Sequence, residues 1–148
     1  MSEAGPRQPP AQGRGAAGRL SSPNGPMYNA AGMRSVARVR LPAVVEETLQ
    51  AFVTGLRQRF GERLVSVRLF GSYARGEATA DSDVDCLILL DRVDRADDRA
   101  VTDLAADLMW QIGGVVISPL TMSAADFEAW KARERLTPLE IERDGVAL

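Results

Sequence analysis

From Leu41 onward, hydrophobic positions alternate between helical and strand periods. Val45, Leu49, Phe52, Leu56 and Phe60 recur every three or four residues, which predicts an amphipathic helix. Pro42 suits its first turn and Gly61 its end. Leu64 to Phe70 follows with period two, which predicts a strand with Val65, Val67 and Leu69 on one face. A polar, glycine-containing stretch runs from Gly71 to Ser82. Val84 to Leu90 is almost wholly apolar after its first acid, as expected of a central strand covered on both faces. Val101, Leu104, Ala105, Leu108 and Ile112 return to helical spacing, closed by Gly113 and Gly114. Val115 to Ile117 reads as a short third strand. Ser123 with Asp126 three residues later resembles a capping box for a helix that turns Phe127 and Trp130 inward. A last short helix is expected near Leu139 to Arg143, before the terminal Gly145-Val146-Ala147-Leu148. The order α-β-loop-β-α-β-α-α predicts a small α/β (α+β) domain with helices packed on a sheet of three to four strands.

The preceding residues have another character. Residues 1–32 contain six glycines and five prolines with almost no apolar periodicity, a composition expected to be disordered. Because organised sequence begins directly after Met33, those residues read equally well as lying upstream of the true start. The division expected is a basic Gly/Pro-rich tail over residues 1–34 and one domain over residues 35–148.

Charge sharpens that division. Residues 1–40 carry six arginines against Glu3 alone, a balance of +5, whereas residues 41–148 carry twelve basic and nineteen acidic residues, a balance of −7. A basic tail could touch nucleic acid, but Tyr28 is its one aromatic, so base stacking and a nucleic-acid partner are not expected. No apolar run approaches the roughly 20 residues of a spanning helix, and no secretory pattern opens the chain, so a cytoplasmic protein is expected. Cys86 is the single cysteine and histidine is absent, which removes an internal disulfide, Ser-His-Asp and Cys-His catalysis, and most zinc sites. Any metal site must then be built from carboxylates and suit a hard cation.

The segment best placed to supply one is Leu69-Phe70-Gly71-Ser72-Tyr73-Ala74-Arg75-Gly76-Glu77, followed by Asp81-Ser82-Asp83-Val84-Asp85-Cys86. A strand ending in Gly71-Ser72 can turn backbone N–H groups toward an anion. Arg75 falls one helical turn after Ser72, on the same side. Asp83 and Asp85, two apart, point to one face of a strand, where their like charges repel unless a cation offsets them. Magnesium held by both carboxylates and by phosphate oxygens resolves that repulsion. As a buried like-charge pair, the two acids are expected to cost stability, so replacing both should leave the fold intact or firmer.

Phe70-Gly71-Ser72, ten intervening residues and Asp83-Val84-Asp85 together resemble the signature of the DNA polymerase β-type nucleotidyltransferase superfamily. The fuller string, Gly71-Ser72-x-Ala74-Arg75-Gly76 with Ser82-Asp83-x-Asp85, is similar to its minimal nucleotidyltransferase branch. The resemblance implies transfer of a nucleoside monophosphate from an NTP, ATP first among them, to an acceptor hydroxyl with release of pyrophosphate. It implies Gly71, Ser72, Arg75 and Ser82 as nucleotide-binding residues. Asp83 and Asp85 would be catalytic and would hold two Mg²⁺ ions, with Mn²⁺ as the alternative. Asp81 is expected to cap the turn, and Cys86 to lie in the core. In this family a third carboxylate normally stands on the next strand, where Ser118 is found; Asp126 and Glu128 could replace it only if they fold back toward the site. Minimal domains of this kind also resemble antitoxins that bind a HEPN-type helical toxin, which is the alternative reading.

Overall fold

The computed structural model describes residues 34–35, 39–133 and 136–148, the first two by their backbone. The expected tail over residues 1–32 lies outside the described residues. The elements run β1 (Arg34–Ser35), α1 (Ala43–Phe60), β2 (Leu64–Phe70), α2 (Gly71–Arg75), β3 (Val84–Leu90), α3 (Arg95–Ile112), β4 (Ile117–Ser123), α4 (Ala124–Arg133), α5 (Thr137–Asp144) and β5 (Val146–Ala147), with a 3-10 turn at Gly61–Arg63.

Alternation along β3 builds the two cores. Val84, Cys86, Ile88 and Leu90 face one way and pack with Leu49, Phe52 and Leu56 of α1 and Val101 of α3. Leu87 and Leu89 face the other way, against Phe127 of α4 and Ile141 of α5. The strand is therefore covered on both faces, as its unbroken apolar run predicts. Cys86 is fully buried, and burial pushes its thiol pKa well up, consistent with an inert core residue.

The sheet has five strands in the order β1-β5-β2-β3-β4, one more than the three to four expected. β1 and β5 are two residues each, too short to carry a periodic signal. β2 pairs antiparallel with β3 and with β5, while β3–β4 and β1–β5 are parallel. The third expected strand begins two residues later than predicted and runs to Ser123. Pro119 sits within it because β4 is an edge, where a missing N–H removes no ladder bond. Val65 is also displaced from the face shared by Val67 and Leu69. A register shift between Leu64 and Ser66 inserts an extra residue, and Val65 packs with the Leu87 cluster instead.

Two helix starts are capped by side chains. Asp94 caps α3 by accepting the Ala96 and Asp97 N–H groups at 2.8 Å, and Asp97 returns a bond to the Asp94 N–H at 3.2 Å. Ser123 caps α4 by accepting the Asp126 N–H at 3.0 Å, as the capping-box reading predicts. Among the described residues no helix is long and apolar enough to cross a membrane.

Candidate active site

The end of β2 lies beside the start of β3 at one end of the strands. Phe70, last in β2, is opposite Asp85, and Asp85 is opposite Ser118 of β4. The backbone turns sharply after Phe70, where Gly71 has φ +71°. Part of the polar stretch expected after this strand is helical: Gly71–Arg75 form α2, closed by Gly76 in the left-handed region at φ +74°. Tyr73 and Ala74 are buried and fasten α2 to the core, which leaves Ser72 half-buried and Arg75 exposed. A Cβ at Gly71 would lie directly against Oδ2 of Asp85. Glycine is required here twice, by φ and by the approach of the carboxylate.

Asp83 and Asp85 flank Val84 at the start of β3. The Val84 N–H donates to the Val116 carbonyl at 2.8 Å, tying this end of β3 to the segment before β4. The turn that delivers Asp83 is closed by Ser82, whose hydroxyl accepts the Thr79 N–H at 2.8 Å and whose N–H donates to the Thr79 carbonyl at 3.1 Å. Ser82, rather than Asp81, thus makes the turn-closing bonds. The acids are not buried as a pair: Asp83 is exposed and Asp85 half-buried. Burial raises the Asp85 carboxyl pKa, the Asp83 charge raises it further, and the Arg75 charge opposes both. The expected repulsion is present, but it falls on one partly desolvated carboxyl.

A hard cation fits this donor set. Two carboxylates with one residue between them, the Ser72 hydroxyl and the space left by the missing Cβ at Gly71 leave room for phosphate oxygens to complete an oxygen shell. Among the described residues no third Asp, Glu, Cys or His joins them to make a three-ligand metal cluster. Ser118, exposed and in register with Asp85, occupies the neighbouring strand position. Asp126 and Glu128 do not fold back. Ser123, next to α4, pairs with Leu90 at the opposite end of β3. There Asp126 accepts a 2.6 Å bond from Ser123, and Glu128 pairs with Lys131 at 2.8 Å.

Glu77 is a site neighbour that the sequence reading missed. Its carboxylate takes the Arg75 Nε–H at 2.8 Å, and Glu140 and Asp144 of α5 also act on the Arg75 charge. An acid two residues after Arg75 was the available signal. A cavity of about 410 Å³ lies elsewhere, lined by Leu41, Leu49 and Val53 near the chain end at Leu148.

Residues 49–121, from α1 into β4, match the family model described as nucleotidyltransferase domain. A protein of Methanocaldococcus jannaschii named as a protein adenylyltransferase is 38% identical over 71 residues, 48% of this chain and 67% of that protein. The chain belongs to the nucleotidyltransferase domain family. A second Methanocaldococcus jannaschii protein of the same name is 34% identical over 88 residues, 56% of this chain and 58% of that one. The protein adenylyltransferase of Thermococcus cleftensis is 54% identical over 44 residues, 30% of this chain and 42% of that one. The chain thus spans between about two fifths and two thirds of the curated relatives it matches. A solved nucleotidyltransferase structure from Sulfolobus solfataricus aligns at 18% identity with a TM-score of 0.39, over 73% of this chain and 87% of that chain. Family membership rests on the sequence matches.

Proposed function

We propose that this nucleotidyltransferase-family chain transfers the nucleoside monophosphate of ATP to a hydroxyl on a protein, with Mg²⁺, or Mn²⁺ in its place, held by Asp83 and Asp85. The observation that carries the reading is the approach of Asp85 to the position where Gly71 lacks a side chain, with Ser72 next to that glycine and Asp83 two residues before that acid. In this reading the Gly71-Ser72 turn orients the β- and γ-phosphates, and Arg75, released from Glu77, supplies a further cation to them. Ser82 holds the turn that aims Asp83 and borders the nucleotide. The bound divalent ions would neutralise the triphosphate and favour departure of pyrophosphate. The names of the relatives support ATP and a protein acceptor for this chain.

Calorimetric titration with Mg-ATP tests the site. The wild-type chain is expected to bind, and the Asp83→Asn/Asp85→Asn double variant to lose about tenfold or more in affinity with its circular dichroism unchanged. Equal affinity in the two proteins would overturn the assignment.

Ser118 beside Asp85, with no third acid clustered there among the described residues, favours a second reading. In it the chain is a catalytically weak antitoxin that neutralises a HEPN-type helical toxin by binding. Inhibition of such a toxin by the double Asn variant in nucleotide-free buffer supports this reading; strict dependence on ATP supports the first.

A further inference from the structure

Arg75 is a basic side chain whose charge reaches the acid pair, where it acts on the Asp85 carboxyl against the effects of burial and of Asp83. Its hydrogen-bond partner is Glu77. Nε of Arg75 donates to Oε2 of Glu77 at 2.8 Å, with 38% of the arginine side chain and 64% of the glutamate side chain exposed. The backbone sets the acid in that place. Gly76 turns the chain in the left-handed region at φ +74°. Its N–H donates to the Tyr73 carbonyl at 3.2 Å, and the Glu77 N–H donates to the Ser72 carbonyl at 2.9 Å. These two bonds close the end of α2 as a Schellman motif. Glu77 is thus tied by its backbone to Ser72 and by its side chain to Arg75, the two α2 side chains that the proposed reading gives to the phosphates.

A carboxylate and a phosphate bind an arginine through the same charge-assisted hydrogen bonds. The Nε–H held by Glu77 is therefore closed to a phosphate oxygen until the acid gives it up. An exposed ion pair of this kind shifts an equilibrium by up to about fivefold, too little to exclude a magnesium-bound triphosphate that makes several other contacts. It weighs more against pyrophosphate, which keeps fewer contacts once the bond to the α-phosphorus is broken. The two backbone bonds hold Glu77 at the turn throughout, so the acid loses little freedom when it recaptures the guanidinium.

We infer that Glu77 is a positioning residue that competes with phosphate for Arg75, yielding the guanidinium to the bound triphosphate and taking it back as pyrophosphate leaves. Glu77 has this role only if the nucleotidyltransferase reading above holds. The acid touches no reacting atom; it acts through Arg75 and sets how tightly the site keeps its product. Glu77→Gln keeps the length of the side chain and the backbone bonds but removes the competing charge. Mg-ATP and Mg-pyrophosphate should then each bind about two- to fivefold more tightly. An acid that merely repels phosphate from a distance would give the same gain with or without Arg75, whereas one that competes for the guanidinium gives none once Arg75 is gone.

Calorimetric titration of the full chain with Mg-ATP and with Mg-pyrophosphate tests this role, on wild type, Glu77→Gln, Arg75→Met and the Arg75→Met/Glu77→Gln double variant. Glu77→Gln is expected to bind both ligands about two- to fivefold more tightly than wild type, and Arg75→Met to bind both more weakly. The double variant is expected to match Arg75→Met. An unchanged or reduced affinity in Glu77→Gln, a gain for Mg-ATP without one for Mg-pyrophosphate, or an equal gain in the presence and absence of Arg75 overturns the role of Glu77. Any of these with Mg-ATP still bound by wild type leaves the site reading standing; a wild type that binds neither ligand overturns both.

Discussion

Gly71 and Gly76 bracket α2 with the same backbone sign, φ +71° and +74°, but they are not equivalent. A Cβ at Gly76 meets nothing within 4 Å, whereas one at Gly71 meets the Asp85 carboxylate. Alanine at either position should cost about 1–2 kcal/mol for the left-handed backbone. Only Gly71→Ala should also displace Asp85, and its Mg-ATP affinity should fall about tenfold or more while Gly76→Ala keeps its own. Thermal melting and calorimetry on both variants separate the two effects. The meeting of Gly71 with Asp85 is legible in the sequence because a glycine-serine turn that ends one strand and two acids that open the next lie within fifteen residues; their phosphate- and metal-binding roles belong to the proposal above. The exposure of Asp83 and the bond from Arg75 to Glu77 are not legible there, since both depend on how far α2 and the Thr79–Ser82 turn stand from the sheet.

At the scale of elements, Arg63 joins three pieces of chain. It donates to Asp97 of α3 at 2.7 and 3.0 Å, to Asp91 at 3.1 Å and to the Arg92 carbonyl at 3.0 Å. The Arg63 guanidinium, first among the causes, holds the Asp97 carboxyl below its ordinary range. A depressed carboxyl contributes stability above its unfolded pKa of about 4 and loses it as pH falls through the folded value. Arg63→Leu should therefore melt below wild type at pH 7, with a gap that holds down to about pH 5 and closes under acid. Melting curves across that range check it. On the other face, Phe127 is fully buried between β3 and α5, with the buried Arg68 guanidinium 5.5 Å from its ring. Phe127→Ala should cost about 3–5 kcal/mol in denaturant unfolding. The helices and β3 are legible because they carry long single-period patterns. β4 is not, because Ser118, Pro119 and Thr121 interrupt its apolar positions at an edge that tolerates them. The slip at Val65 comes from a bulge, a cross-strand event that one strand's sequence does not reveal.

The whole molecule poses a question that no single element answers: the proposed site has two acids where the family resemblance implies three. All the geometry for a third acid is present. Asp85 and Ser118 are paired neighbours on parallel strands, and the Val84–Val116 bond at 2.8 Å fixes their relative height. Ser118 is exposed, so a carboxylate there would incur little desolvation, and stability should change by less than about 0.5 kcal/mol. A hydroxyl in that place neither accepts a proton readily nor binds a hard cation strongly. If transfer is limited by this substitution, Ser118→Asp should raise pyrophosphate release from Mg-ATP by about tenfold or more, given the rate contribution of a positioned base. If the chain acts as a binding partner alone, Ser118→Asp should leave pyrophosphate release at background and alter only Mg²⁺ affinity. The comparison places the two functional readings on one variant and one assay, because β2, β3 and β4 already set Phe70, Asp85 and Ser118 side by side.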